Sequence, residues 1–259
     1  MLFRGSPEAI GTTTQPFTQL DETNVGATVK YLTFMYPCGP VIAFEDGEGY
    51  TLLVTDLTTL QTTYGLSGDL TGHRIMYPHC VRDSIFLTDQ QQLPYSQWVR
   101  KPDGSTVKLR SDPNAMVVAL GSDGTDMAWM QAYEPDAQLA HWGRIELWTS
   151  PFTTDPAQLQ PKRLGVTGND HIQEYPMVVG AGLAAHNVLQ GELPRLYRLT
   201  DGAYAFAPAV PGLHLSDVIS IDEGEILFWA SLENAYPTDY ITIVRMPLSS
   251  LGPFQPLGQ

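Results

Sequence analysis

The chain has 259 residues, enough for one large domain or two smaller ones with a buried core. Its 28 Asp and Glu residues outnumber its 14 Lys and Arg residues, so the formal net charge at pH 7 is −14. A surface this acidic repels nucleic-acid phosphates and anionic lipid headgroups, and no apolar run reaches the roughly 18 residues needed to span a bilayer. We therefore expect neither a nucleic-acid partner nor membrane insertion.

The pattern of apolar residues predicts an all-β protein. Short runs rich in Val, Ile, Tyr, Phe and Trp recur throughout, and 23 Gly and 20 Pro spread along the chain predict frequent turns between them. Long windows with helical periodicity are absent. Only two short helical turns are expected, at residues 156–159 and 247–251.

Two kinds of predicted hairpin alternate along the chain. The first kind, called cd, joins an apolar strand to a second strand with polar ends, and it covers residues 2–20, 52–66, 97–109, 146–164, 195–209 and 242–257. The second kind, called ab, lies between these copies. Its five segments are MYPCGPVIAFEDGEG (from residue 35), MYPHCVRDSIFLTD (from 76), NAMVVALGSDGTDMAWMQA (from 114), EYPMVVGAGLAAHNV (from 174) and LSDVISIDEGEILFWAS (from 215).

This alternation predicts a β-propeller, because one propeller blade consists of four antiparallel strands, which take up about 40 to 60 residues. We expect a single domain over residues 1–259 with about six four-stranded blades, of which the first is incomplete. The expected bounds are 1–30 for the partial blade and 31–71, 72–111, 112–170, 171–212 and 213–259 for the others. Five blades with the N-terminal hairpin packed outside the ring are the alternative.

Residues 117–164 carry a family resemblance. VVALGSDGTDMAWMQA followed by RIELWTSPFTTDPAQLQPKRL resembles the WD40-like repeat of TolB-type bacterial propellers, in which an Asp-Gly turn leads into an apolar strand and then a strand containing Leu-Trp. SIDEGEILFWAS with YITIVRMPL is similar, and the resemblance extends over residues 31–259 at the level of repeats. The Ser-Pro-Asp-Gly turn common in that family is missing from every a–b position.

The resemblance implies a fold and often a periplasmic or extracellular location, but it implies no particular reaction, since propellers host unrelated functions. The N-terminal residues MLFRGSPEAIGTTTQPF show no secretion signal. The location therefore stays open on the sequence alone, with an exported location favoured by the family.

Propeller geometry predicts a binding face. The connections after strands b and d emerge at the same end of each blade, and the predicted b–c loops are long and aromatic. Candidate binding residues on this face are Tyr95, Trp98, Tyr133, His141, Trp142, Tyr236 and Tyr240, together with Tyr36, Tyr77 and Tyr175 from the d–a lead-ins. Such rings would form platforms for a sugar or a peptide, and the alternative is that they pack against their own loops. Trp129, Trp148 and Trp229 lie within strands, where we expect them to pack inside blades.

We therefore expect a non-enzymatic binding or scaffolding propeller, monomeric and without cofactor or metal, that recognises a protein or a glycan. No zinc spacing, nucleophile elbow or phosphate-binding loop is present. The alternative is a carboxylate-dependent glycoside hydrolase or lyase acting in the central channel, with Asp83, Glu174 and Asp217 as the acids.

The two cysteines follow two similar Tyr-Pro pairs. Cys38 comes directly after Tyr36-Pro37, whereas Cys80 is the second residue after Tyr77-Pro78. If both pairs occupy the same position in successive blades, the cysteines face opposite sides, which predicts two separate buried thiols. A bulge at Gly39-Pro40 would instead allow a disulfide. With His79, the cysteines also form the one plausible metal cluster in the sequence.

Overall fold

The computed structural model describes residues 2–4, 18–20, 32–46, 51–59, 61–64, 75–89, 96–136, 141–168, 177–186, 193–232 and 242–258. Within these ranges the chain forms β-strands and two 3₁₀ turns, Pro156–Gln158 and Leu248–Ser250. Both turns were predicted. The first begins after Asp155, whose carboxylate accepts a hydrogen bond from the Ala157 backbone N–H at 2.9 Å, as a capping residue does.

The strands form six antiparallel sheets in chain order. Sheet 1 contains β1 (Leu2–Arg4) and β2 (Thr18–Leu20); sheet 2 contains β3 (Leu32–Cys38), β4 (Val41–Asp46), β5 (Thr51–Asp56) and β6 (Thr62–Tyr64); sheet 3 contains β7 (Ile75–Val81), β8 (Ser84–Asp89), β9 (Ser96–Arg100) and β10 (Thr106–Arg110). Sheet 4 contains β11 (Ala115–Ser122), β12 (Asp126–Asp136), β13 (His141–Pro151) and β14 (Lys162–Gly168). Sheet 5 contains β15 (Val178–Gly180), β16 (Leu183–His186), β17 (Arg195–Arg198) and β18 (Tyr204–Phe206), and sheet 6 contains β19 (Leu213–Ile221), β20 (Glu225–Leu232) and β21 (Thr242–Pro247).

Sheet 6 differs from the prediction because it has three strands among the described residues. The predicted cd hairpin at 242–257 has its first strand, β21, but the chain then makes the 3₁₀ turn and leaves the sheet. Residues 251–258, here called the C-terminal strap, instead run over sheets 4 and 5. Pro253 and Pro256 lack backbone N–H groups, which disfavours a regular fourth strand.

The chain forms two compact units. The first comprises Met1–Gln91 and Trp98–Val107, and its core is built from apolar side chains of sheets 2 and 3, including Leu52, Ile75 and Ile85. The second comprises Gln92–Gln97 and Lys108–Gln259. It contains one core between sheets 4 and 5 and another between sheets 5 and 6.

Two glycines let consecutive sheets of the second unit approach closely. The Met177 backbone N–H donates to the Leu120 carbonyl oxygen at 3.0 Å, which ties the segment before β15 to β11. A Cβ atom on Gly121 would collide with the Met177 carbonyl oxygen, and a Cβ atom on Gly180 would collide with the Ile221 carbonyl oxygen. Any side chain at these positions would therefore force the sheets apart.

Cys38 and Cys80 form a disulfide with a Cα–Cα distance of 5.4 Å, so the prediction of two separate thiols is wrong. Cys38 directly precedes the turn Gly39-Pro40, whereas Val81 separates Cys80 from the turn Arg82-Asp83. The two cysteines therefore face opposite sides of their own sheets, as expected. Strands β3 and β7 belong to neighbouring sheets. Two stacked sheets meet through opposite faces, so two cysteines that point to opposite sides of their own sheets can meet between the sheets and form a bridge.

The tryptophans within strands follow the prediction only in part. Trp129 is buried, and Trp148 is half-buried beside it. Trp229 was expected to pack inside a blade, but its side chain is 37% exposed on β20, opposite the exposed Ile243 of β21. The alternation of β20 places Phe228 and Ala230 in the core, which leaves Trp229 on the other face.

Candidate functional site

Sheet 4 has one apolar face and one face of aromatic, polar and charged side chains. Cross-strand pairing places Trp129 opposite Trp148, Gln131 opposite Glu146, and Tyr133 opposite Arg144. Neighbouring residues on the other face belong to the core between sheets 4 and 5. The side chains of this second face, together with the last residue of β10, are called the arginine–aromatic ladder: Arg110, Trp129, Gln131, Tyr133, Arg144, Glu146 and Trp148.

Arg110 lies against both indole rings of the ladder. Its Cζ atom is 4.9 Å from the ring centroid of Trp129 and 5.1 Å from that of Trp148, and the two rings stack at an angle of 12°. Each contact is a cation–π interaction, which strengthens when water is excluded. Burial lowers the pKa of the Arg110 guanidinium, an effect that the carboxylate of Asp112 opposes. The guanidinium still carries its charge because the ordinary pKa of arginine is far above neutrality.

Gln131 connects Arg110 to Tyr133. Its Oε1 atom accepts a hydrogen bond from Arg110 Nη2 at 2.5 Å, and its Nε2 atom donates to Asp112 Oδ2 at 2.8 Å and to the Tyr133 hydroxyl at 2.9 Å. The Gln131 side chain is fully buried, so these bonds offset the cost of removing its amide from water. The network fixes the orientation of Arg110 and Tyr133.

Glu146 interacts with two arginines beside Tyr133. Its buried carboxylate lies 2.9 Å from Arg163 Nε and 3.3 Å from Arg144 Nε, and Arg144 Cζ lies 4.6 Å from the ring centroid of Tyr133. Burial, the negative charge of Glu146 and a hydrogen bond between the two side chains raise the pKa of Tyr133 to about 12. Two arginines therefore compensate a buried carboxylate, and the tyrosine hydroxyl stays protonated at neutral pH.

Titration of Tyr133 tests this arrangement. NMR of the ring Cζ carbon is expected to show Tyr133 ionising near pH 12 rather than at the ordinary pKa of 10.0. Since the pKa is raised on folding, the stability that the protonated hydroxyl provides is complete below pH 10 and is lost as the pH rises from 10 towards 12. Glu146→Gln should move the Tyr133 pKa downwards, and a wild-type value near 10 would contradict the hydrogen-bonded geometry.

The ladder lies at the base of a long hairpin formed by β12 and β13. These strands pair as far as Asp136 and His141, and Pro135 is opposite Trp142. The structure thus brings three predicted binding residues, Tyr133, His141 and Trp142, to the same end of sheet 4. Tyr133 is half-buried there.

Of the remaining predicted residues, the structure describes Trp98, Tyr36 and Tyr77. Trp98 is half-buried against the core that surrounds the disulfide, which favours a packing role. Tyr36 lies next to the β3–β4 turn, so the prediction that it leads into the strand is wrong: β3 already begins at Leu32, because the residues before Tyr36 are themselves strand-forming. Four of the predicted residues lie outside the described residues: Tyr95, Tyr175, Tyr236 and Tyr240.

Tyr77 occupies a different depth in its strand from Tyr36. It lies within a β-bulge between Met76 and His79, and its turn begins five positions later, at Arg82, whereas the turn after Tyr36 begins three positions later, at Gly39. The two Tyr-Pro pairs are therefore not equivalent, which corrects the interpretation of a shared position. The bulge tolerates Pro78 because its missing N–H costs no regular ladder bond.

The structure gives little support to the alternative sites. Both sulfur atoms of the predicted metal cluster are bonded to each other and cannot act as thiolate ligands. Over the ranges that the structure describes, no three His, Cys, Asp or Glu residues are grouped to hold a metal ion. Of the predicted acids, Asp83 lies in the β7–β8 turn, Asp217 lies in β19, and Glu174 falls outside the described residues.

Sequence reasoning missed most of the ladder, although part of its signal was present. Every second residue from 129 to 133 and from 144 to 148 is aromatic, charged or amide-bearing, which is the alternation of two strands sharing a face. Of the ladder, the sequence prediction named only Tyr133 as a site residue. It did not single out Arg110, Gln131, Arg144 and Glu146, and it expected Trp129 and Trp148 to pack inside blades. Arg163, which pairs with Glu146, was also missed. Arg110 could not be inferred because it comes from a different sheet.

No protein-family model and no curated protein matches this sequence. Solved structures do resemble the fold. The chain is similar to TolB from Acinetobacter baumannii, with a TM-score of 0.51 and 14% identity over 80% of this chain, and to a TolB candidate from Agrobacterium tumefaciens, with a TM-score of 0.56 and 10% identity over 87% of this chain. It is also similar to the β-propeller domain of the Trilobed protease from Pyrococcus furiosus, with a TM-score of 0.51 and 12% identity over 87% of this chain.

The predicted all-β propeller is thereby confirmed: the chain has the fold of a β-propeller. More narrowly, its fold is similar to that of TolB propellers. The chain spans 48% of the Acinetobacter protein, 80% of the Agrobacterium protein and 70% of the Pyrococcus domain. In the part of the chain described, no helix has the length and apolar character needed to cross a membrane.

Proposed function

We propose that the protein is a binding module that catalyses no reaction and whose partner contacts the end of sheet 4 formed by the β12–β13 hairpin. The observation that carries this proposal is the length of that hairpin. It pairs as far as Asp136 and His141, whereas β11 begins its pairing at Ala115, opposite Tyr133, and β14 ends its pairing at Gly168, opposite Ile145. Among the described residues, the hairpin therefore extends beyond both neighbouring strands.

The residue types at this end suit a binding surface. Trp, Tyr and Arg supply most of the binding energy in protein interfaces, and aromatic rings also stack on sugars. Arg144 is 53% exposed but its guanidinium is already held by Glu146 and the Tyr133 ring. A side chain that is ordered before binding loses less conformational entropy in the complex. The partner is a protein or a glycan, since both use surfaces of this kind.

The disulfide supports an exported location for this binding module. Disulfides persist in oxidising compartments such as the periplasm and the extracellular space, and they are rare in the cytosol. The Cys38–Cys80 bridge is partly shielded, since Cys38 is only 1% exposed. We place the protein in such a compartment, where its partner is then a secreted, periplasmic or cell-surface molecule.

Alanine substitutions on the hairpin test the proposed function. Arg144→Ala and Trp142→Ala are each expected to weaken partner binding about tenfold or more, which corresponds to about 1.4 kcal/mol. Wild-type and variant proteins would be immobilised and exposed to envelope extract of the source cells and to a glycan array. Retained proteins would be quantified by mass spectrometry, and the array would separate a glycan from a protein partner.

Arg245→Ala is the matched control, because Arg245 is also exposed and also pairs with a glutamate, Glu225, but lies on β21. It should retain everything that the wild type retains. The proposal fails if all four proteins retain the same molecules equally while their circular dichroism spectra agree.

A further inference from the structure

The C-terminal strap has a regular pattern of contacts. Leu251, Phe254 and Leu257 are half-buried, while the residues between them are exposed, so every third residue faces the protein. Pro253 and Pro256 have the same spacing. Three residues per turn is the period of the polyproline II helix, and the backbone of Leu251, with φ −60° and ψ 135°, is close to that conformation.

The strap lies on the outer strands of sheets 5 and 4. Gln255 and Tyr204 exchange two backbone hydrogen bonds of 2.8 Å across β18, and the Val166 N–H of β14 donates to the Gly258 carbonyl oxygen at 2.9 Å. Leu257 packs against the core between sheets 4 and 5. The strap therefore occupies strand edges that would otherwise present unpaired backbone groups.

Aromatic side chains lie on β18, where the strap docks, and next to it on β17. Tyr204 contacts Tyr197 and Phe206, with ring centroids 6.4 Å and 5.6 Å apart, and the Phe254 ring lies 4.8 Å from Arg198 Cζ. Phe206 remains 40% exposed, so the aromatic surface extends beyond the part that the strap covers. Aromatic grooves of this kind bind proline-rich segments with the Pro-x-x-Pro spacing.

The strap is held less firmly than the sheets beneath it. None of its residues is fully buried, and in the described chain three backbone hydrogen bonds attach it to β18 and β14. Segments with few buried contacts open locally at a small fraction of the global unfolding free energy. Because Tyr204 and Val166 are also paired within their own sheets, the docking surface persists when the strap leaves.

We propose that the outer edges of β18 and β14 form a binding groove for a polyproline-II segment. The C-terminal strap fills this groove within its own chain, and when the strap leaves, the same segment of a second copy fills it. Binding within the chain benefits from an effective concentration in the millimolar range, so the closed monomer dominates in dilute solution. The groove recognises Leu, Phe and Leu at every third position, with prolines between them.

A fluorescent peptide of residues 251–259 serves as the probe for the second copy's segment. The full-length variant Phe254→Ala/Leu257→Ala has a weakened strap and is expected to bind this peptide at least tenfold more tightly than the wild-type protein, whose groove is filled. A peptide carrying the same two alanines should bind neither protein. Equal binding of the peptide by variant and wild type, or equal binding of both peptides, would overturn the proposal.

Hydrogen exchange of the wild-type protein decides the question if that variant does not fold. The amide of Gln255 is expected to exchange at least tenfold faster than that of Leu196 in the central strand β17, because the strap opens without unfolding sheet 5. Equal protection of the two amides would show that the strap leaves only on global unfolding, and the proposal would then be wrong.

Discussion

Removal of the disulfide through Cys38→Ala is expected to lower the free energy of unfolding by about 4 kcal/mol. The bridge joins residues 42 positions apart, and a closed loop of that length restricts the unfolded chain by roughly this amount in the chain-entropy description. The loss is a substantial fraction of the roughly 5 to 15 kcal/mol that stabilise a typical domain. Urea titration followed by fluorescence measures it.

Cys38→Ala/Cys80→Ala is the control for this experiment. Because each single substitution already breaks the bridge, the double variant should lose about as much stability as either single variant rather than the sum. Reducing agent should lower the unfolding midpoint of the wild type and leave that of the double variant unchanged. A loss below about 1 kcal/mol in Cys38→Ala would show that the bridge contributes little to the stability of the first unit.

Replacing Gly121 with alanine is expected to destabilise the second unit by about 3 kcal/mol or more. The added methyl group would collide with the Met177 carbonyl oxygen, and a backbone atom cannot rotate away as a flexible side chain can. Relief requires β11 and β15 to separate, which opens the core between sheets 4 and 5. Thermal unfolding followed by circular dichroism measures the effect.

Gly224→Ala provides the matched control. No atom lies within 4 Å of the position that its Cβ would take, so its stability should change by less than about 1 kcal/mol. If both variants unfold at the same temperature as the wild type, the close approach of β11 to the segment before β15 is not a constraint on this sequence.

The sequence predicts the sheets well where apolar residues alternate and turns are short. The pattern of residues 126–130 and 145–149, for example, places strands where β12 and β13 occur. It predicts sheet 6 less well, because the repeat pattern expects a second strand of the cd hairpin after β21, whereas the chain makes a 3₁₀ turn there and then pairs with sheets 5 and 4. The choice between a fourth strand and a strap depends on contacts with Tyr204 and Val166, which are remote in sequence.

In the candidate site, too, the sequence predicts residues that are close together in the chain but not the contacts between residues that are distant in the chain. Tyr133 and Trp142 were identified because they flank one aromatic loop in the sequence. The ladder depends on register, because only the pairing of β12 with β13 places Glu146 beside Tyr133. The contact of Arg110 with the two tryptophans depends on how the end of β10 lies against sheet 4. The prediction for the cysteines is wrong because it treats two side chains that point to opposite sides as unable to meet, which holds within one sheet. The two strands lie in different sheets, where such side chains can meet.

The position of the disulfide also bears on the order of folding during synthesis. Both cysteines lie within the first 80 residues, and each belongs to the first strand of its own sheet. In an oxidising compartment the bond can therefore close before most of the second unit has folded, since chains fold from the N-terminus as they emerge. A covalently joined pair of sheets is then in place before the remaining blades are added.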